Sequence, residues 1–158
     1  MNQNVLEFLR ESNAIEREYS QIALEDAQLA WNYAINNKPA VTIDYILEIH
    51  RLLMRRLWPD IAGKFRTENV YIGHSKKIFI SRVLFCAQLQ KLVCEPMSDP
   101  KYTDPIKVHV NFEEIHPFLD GNGRTGRILY NIHRLKLNLP IHIIHEGAEQ
   151  FDYYKWFK

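Results

Sequence analysis

The sequence predicts a mainly α fold that carries one β-hairpin. Six glycines and seven prolines are few for 158 residues, and the prolines leave long uninterrupted stretches. Within those stretches apolar residues recur at i, i+3, i+4 and i+7, the period of a helix with one face in a core. The exception is residues 70–80, where Val-Tyr-Ile and Ile-Phe-Ile flank Gly-His-Ser-Lys-Lys. That pattern reads as two short strands joined by a five-residue, glycine-bearing loop.

Each element follows in order. Val5, Phe8, Leu9, Ile15 and Tyr19 form a first stripe, with Ser12 and Glu16 on the same face, so a helix is expected within residues 1–19. Ala23, Ala27, Ala30, Trp31 and Ala34 mark a second helix, with Ser20 placed to cap its first turn. Thr42 caps a third, whose stripe runs Ile43, Ile46, Leu47, His50, Leu53, Met54, Leu57. Residues 83–94 and 106–115 read as two more. Ile128, Leu129, Ile132, Leu135 and Leu139 give a last one, stopped by Pro140. A lone hairpin is marginal in water, so residues 70–80 should pack on something or pair with a partner strand. No repeat, linker or low-complexity stretch divides the chain, and residues 1–158 read as one domain.

Composition narrows the function classes. The chain is 46% hydrophobic and 25% charged, and twenty Lys and Arg against nineteen Asp and Glu leave a net charge of +1. Direct nucleic-acid binding is not expected of so balanced a chain, although residues 124–136 are locally basic. No apolar run approaches the roughly 18 residues that cross a bilayer, so no membrane partner is expected. The opening MNQNVLEFLRES has no basic stretch followed by an apolar one. Cys86 and Cys94 fall in one expected helix, about 12 Å apart at its rise per residue, too far for a disulfide. Together these suggest a reducing cytoplasm.

The chemistry concentrates in one segment, His116-Pro117-Phe118-Leu119-Asp120-Gly121-Asn122-Gly123-Arg124-Thr125-Gly126-Arg127. Pro117 forces His116 out of helical conformation, so a helix should end near Ile115 and present the imidazole. Gly121 and Gly123 free the backbone of side chains, and the next helix begins there with unbonded N–H groups and its positive dipole end. Such a start is a ready anion site. Arg124 and Arg127 lie on one face of its first turns and can fork onto further phosphates. Asp120 at the lip can hold a Mg²⁺ ion shared with phosphates.

This segment resembles the signature of the Fic domain, H-x-F-x-(D/E)-G-N-G-R-x-x-R, at every fixed position. Ala62-Gly63-Lys64-Phe65-Arg66 followed by Val70-Tyr71-Ile72 is similar to that family's lead into its flap hairpin, so the resemblance spans roughly residues 10 to 140. It implies a Fic-like helical bundle with one hairpin flap, transferring AMP from ATP to a Ser, Thr or Tyr hydroxyl of a target protein. His116 would be the general base and Asp120 the Mg²⁺ ligand. Gly121, Asn122 and Gly123 would form the anion hole, Arg124 would hold the β-phosphate and Arg127 the γ-phosphate. Phe118 would anchor the loop in the core. Val70, Tyr71, Ile72, Ile78, Phe79 and Ile80 would align the target by strand addition. Lys76 and Lys77 at the hairpin tip depart from the proline-containing flaps common in the family.

Residues 1–28 hold six acids and two arginines, whereas 121–145 hold four Arg or Lys and no acid. Glu16, facing inward, calls for a cation. Ser12-Asn13-Ala14-Ile15-Glu16 resembles the family's inhibitory helix, (S/T)-x-x-x-E-(G/N), in which the glutamate pairs with the signature's second arginine, here Arg127. Arg17 stands where the pattern has Gly or Asn. The alternatives are phosphate transfer at the same site, removal of AMP from a modified target, and a catalytically silent nucleotide- or partner-binding module. The death-on-curing relatives, which transfer phosphate, carry lysine where this chain has Gly123.

The seven histidines lack the ligand spacing of a zinc site, and apart from His116 they read as hydrogen-bonded and partly buried. The aromatic-rich end, residues 151–158, is open between a docking helix, a dimer contact and the edge of a longer chain. A homo-oligomer is left open too.

Overall fold

The computed structural model describes residues 2–38, 41–72, 75–77, 81–99 and 104–158; for Ile72 and residues 75–77 the backbone alone is described. The fold is mainly α. Helix α1 (Gln3–Ile15) opens at Asn2, whose side chain accepts from the Asn4 N–H, and buries Val5, Phe8, Leu9, Ser12 and Ile15. It is shorter than the stripe suggests. Glu16 ends it, Arg17 takes a left-handed φ of 57°, and Tyr19 leaves the helical face to stand 68% exposed.

Helix α2 (Gln21–Asn37) starts where Ser20 Oγ accepts from the Ala23 N–H, and α3 (Ile43–Met54) where Thr42 Oγ1 accepts from Tyr45, both at 3.1 Å. These are the caps expected from sequence. The two helices pack together, and the Tyr45 hydroxyl donates to the Ala34 carbonyl at 2.9 Å.

Strands β1 (Val70–Ile72) and β2 (Ser75–Lys77) pair antiparallel, with Val70 opposite Lys77 and Ile72 opposite Ser75. This corrects the expected register. The second strand lies inside the anticipated loop, three residues early, so two residues separate the strands rather than five. A two-residue link opened by glycine is the commoner hairpin connection. Ile78, Phe79 and Ile80, expected as the second strand, lie outside the described residues.

Helix α4 (Arg82–Leu89), a wider π turn (Gln90–Cys94) and α5 (Glu95–Ser98) run on from one another where the sequence reads one helix. Pro96 explains the widening, since it has no N–H for the Leu92 carbonyl four residues back. Asn111 Nδ2 reaches that carbonyl at 3.4 Å instead.

Helix α6 (Pro105–Ile115) is capped by Asp104 and ends just before His116. Helix α7 (Asn122–Lys136) follows, then α8 (Ala148–Tyr153) and a 3₁₀ turn (Tyr154–Phe157). Asn138, left-handed at φ 59°, turns the chain out of α7 two residues before Pro140.

The axis of the molecule is α7. Helices α1, α2, α3 and α6 pack on it, and every residue from Arg124 to His133 is buried. A one-sided apolar stripe does not foretell this, because Arg124, Arg127, Asn131 and His133 interrupt the pattern. No helix among the described residues is long and apolar enough to cross a membrane.

Candidate active site

The loop between α6 and α7 is held from three sides. His116 is the C-cap of α6 at φ 50°, ψ 61°. It leaves the right-handed helix, as Pro117 demands, for the left-handed region rather than the extended one. A non-glycine residue persists there only where its surroundings hold it. Arg66 does the holding. Its Nε donates to the His116 carbonyl at 2.8 Å, its backbone N–H donates to the Pro117 carbonyl at 2.9 Å, and its guanidinium lies over the Phe85 ring. The His116 ring is about one-fifth exposed, with Nδ1 3.2 Å from the Glu113 carbonyl.

Phe118 is fully buried and stacks on His50 with ring centres 3.7 Å apart. His50 Nδ1 accepts from the Gly63 N–H, so Nε2 carries the proton and donates to the Asp120 carbonyl at 2.9 Å. Burial lowers its pKa to about 4 and keeps it neutral. Gly121, left-handed at φ 78°, fits only as glycine, because a Cβ would approach Met54 Sδ to 2.9 Å. The Asn122 side chain has a part that the sequence reading does not give it. Its side chain accepts from the Phe118 N–H and donates to the Phe118 carbonyl, at 2.9 and 2.8 Å. It clasps the loop closed and leaves only its backbone N–H for an anion.

The first-turn N–H groups of α7 precede any intrahelical acceptor and face this loop. Asp120 stands beside them with its carboxylate about half exposed, 3.4 Å from an Arg124 nitrogen. Arg124 is buried, touches Met54 Sδ, and has no acceptor for its Nε among the described residues. A buried cation so thinly satisfied suits an incoming anion.

Arg127 is fully buried and held from α1 and its C-cap. Its Nε donates to Ser12 Oγ at 2.9 Å, and one terminal nitrogen donates to the Ser12 carbonyl at 2.8 Å and to Glu16 Oε1 at 2.7 Å. A Cβ on Gly123 would strike both the Glu16 carboxylate and the Arg127 guanidinium. Behind the arginine sit Glu113, whose Oε1 is buried without a partner among the described residues, and Tyr153. Burial lifts the Glu113 carboxyl to about 8. Tyr153 shares a 2.8 Å hydrogen bond with His109, which burial lowers to about 3.

His116, Asp120, Gly121, Asn122, Gly123, Arg124, Arg127, Ser12 and Glu16 thus come together. In the expected flap, Val70 is buried and Tyr71 exposed. Sequence reasoning placed His50 only in the core and gave Arg66 and Tyr153 no part, because nothing local marks their partners 70, 50 and 44 positions away.

The Fic/DOC family model matches residues 40–133, more than half of the chain. The chain belongs to the Fic/DOC family. Among curated relatives of this Fic chain, protein adenylyltransferase fic-1 of Caenorhabditis elegans is 33% identical over 132 residues, covering 78% of this chain and 26% of that protein. Protein adenylyltransferase Fic of Nematostella vectensis is 32% identical over 127 residues, covering 77% and 29%. The Fic chain therefore spans little more than a quarter of the curated relatives it matches. Among solved structures, a fragment of C. elegans Fic-1 superposes with a TM-score of 0.76 at 24% identity, over 99% of this chain and 55% of that one. A variant of that fragment gives 0.81 at 22% identity, again over 99% and 55%. At that identity the superpositions establish a shared Fic fold.

Proposed function

We propose that the chain is a protein adenylyltransferase, moving AMP from ATP to a hydroxyl side chain of a target protein, and that α1 restrains it. The observation that carries the reading is the pairing of a glycine-bearing helix start, residues 116–127, with an arginine in that cradle already occupied by Ser12 and Glu16.

The chemistry assigns each group one task. His116, held at its left-handed turn by Arg66, takes the proton from the target hydroxyl. The freed oxygen attacks the α-phosphorus in line, the bond from that phosphorus to the β-bridging oxygen breaks, and pyrophosphate departs. The backbone N–H groups of Gly121, Asn122 and Gly123 receive the negative charge that builds on the phosphate oxygens. Arg124 fixes the β-phosphate, and Arg127, once released, fixes the γ-phosphate. Asp120, an exposed hard-oxygen donor beside the cradle, fits Mg²⁺, which would supply charge neutralisation across the phosphates. The strand pair β1–β2 would align the target segment, although the shifted register changes which residues face it.

The restraint follows from the same geometry. Glu16 and the Ser12 carbonyl share one terminal nitrogen that a γ-phosphate needs, and Ser12 Oγ takes Nε beside it. The test is transfer of label from α-labelled and γ-labelled ATP, with Mg²⁺ and a host-cell lysate. It compares the native chain, Glu16→Gly, and Glu16→Gly with His116→Ala. Protein-bound α-label that rises with Glu16→Gly and disappears in the double variant is the expected result. Label only from the γ position makes the enzyme a phosphotransferase. No label despite ATP binding makes it a binding module.

A further inference from the structure

One face of α1 holds Arg127, and the opposite side of the same helix is tied to the C-terminal segment by a series of contacts. His145 Nε2 meets Glu7 Oε1 at 2.9 Å while its Nδ1 meets Glu149 Oε2 at 2.7 Å. Both ring nitrogens face carboxylates, so both carry protons and the imidazole is a cation. Glu11 Oε2 accepts from the Glu146 N–H at 2.8 Å, and the Tyr19 hydroxyl donates to Glu146 Oε1 at 2.7 Å. Gln150 Nε2 reaches the Ile15 carbonyl at 3.5 Å. Beneath these contacts Ile15 is buried with Ile144 and Tyr153, and Tyr153 in turn lies against the Arg127 guanidinium.

The arrangement spans α1 from Glu7 to the residues just past its end. Apart from Tyr153, which backs Arg127, none of it touches the cradle, and each exposed pair is weak alone. Their common effect is on one equilibrium, the docking of α1. We propose that the segment from Ile144 to Tyr153 is a latch that holds α1 on Arg127, so that loosening this segment opens the nucleotide site without any change at Glu16. The inference rests on the restraint assigned to α1 above. It also gives the aromatic-rich C-terminal region a use: part of it backs the arginine and part of it clamps the helix that covers the arginine.

The test uses the full chain with His145→Ala, Tyr19→Phe and both together, each in the native and in the Glu16→Gly background. Amide hydrogen exchange is read in α1, α3 and α7, and affinity is read with a fluorescent ATP analogue. Releasing the latch should speed exchange in α1 while leaving α3 and α7 protected. In the native background it should tighten ATP analogue binding about three- to tenfold, as expected for losing a few exposed pairs that bias one equilibrium. In the Glu16→Gly background it should change affinity little, because the two act through the same release. Unchanged α1 exchange overturns the latch, as does an equal affinity gain in both backgrounds. Loss of protection throughout the chain overturns it too, by making the segment a plain stability element. If Glu16→Gly itself leaves analogue affinity unchanged, the restraint assigned to α1 fails and the latch falls with it. If Glu16→Gly tightens binding and the latch variants do not, the restraint stands and the latch alone is wrong.

Discussion

Arg17 closes α1 in a conformation that suits glycine, and replacing it with glycine should stabilise the protein. The end of the helix is a Schellman motif. The Glu18 N–H returns to the Asn13 carbonyl at 3.1 Å and the Arg17 N–H to the Ala14 carbonyl at 2.8 Å, with Arg17 at φ 57° between them. For a residue with a Cβ the left-handed region costs about 1–2 kcal/mol. The greater freedom of glycine in the unfolded chain takes back about 0.4–1 kcal/mol. Arg17→Gly should therefore gain about 0.5–1 kcal/mol, the Arg17 side chain being exposed and outside every ion pair among the described residues. Thermal unfolding would read this as a rise of about 1–4 °C in a chain of this size. Because the motif ends the helix that carries Glu16, the same gain should favour the docked state and lower basal AMP transfer about two- to fivefold. Arg17→Ala is the control, since it removes the charge and keeps the strain. A Tm for Arg17→Gly that is unchanged or lower refutes the reasoning, and so does an equal rise with Arg17→Ala.

Three further outcomes are expected. Asn122→Ala removes both hydrogen bonds that clasp the loop to Phe118 and should destabilise the chain by about 2–3 kcal/mol in urea unfolding. Arg66→Ala frees the His116–Pro117 backbone, and steady-state transfer should show turnover falling more than the KM for ATP rises. His50 and His109 are buried neutral with pKa values lowered to about 4 and about 3, below the ordinary 6.5. A group whose pKa is depressed on folding contributes stability above its unfolded value and loses it as pH falls through the folded one. Stability measured by denaturant titration should thus decline from about pH 6.5 downward, and His109→Gln should flatten that limb by up to about 1.4 kcal/mol per pH unit.

What the sequence disclosed and what it withheld divide along a physical line. Ser20, Thr42 and Pro117 act on backbone within four residues of themselves, so the boundaries they set were legible in the sequence. The cradle was legible for the same reason: its glycines, arginines and histidine lie within twelve residues. The Glu16–Arg127 pair spans 111 positions and was legible only because opposite charge and a family pattern coincided there. Arg17 looked like a departure from that pattern. In the structure Arg17 makes a left-handed turn, a conformation that Gly and Asn adopt at less cost. The pins supplied by Arg66 and His50 carry no such mark, since each donates to a carbonyl and any residue offers one. Burial of α7 on all sides was hidden because Arg127 and Asn131 find partners 115 and 11 positions away, on α1 and on the segment after α7, which no local pattern marks.

That burial has a consequence for motion. The cradle begins the innermost helix, so exposing its amides to solvent requires most of the cooperative unit to come apart. Helix α1 buries Val5, Phe8 and Leu9 and reaches Arg127 from one side, so the release that the proposed restraint requires is a partial opening that leaves α7 packed by α2, α3 and α6. On that proposal the loop from His116 to Asp120 keeps its shape while α1 is away, because Arg66 and His50 hold it from elements that stay in place.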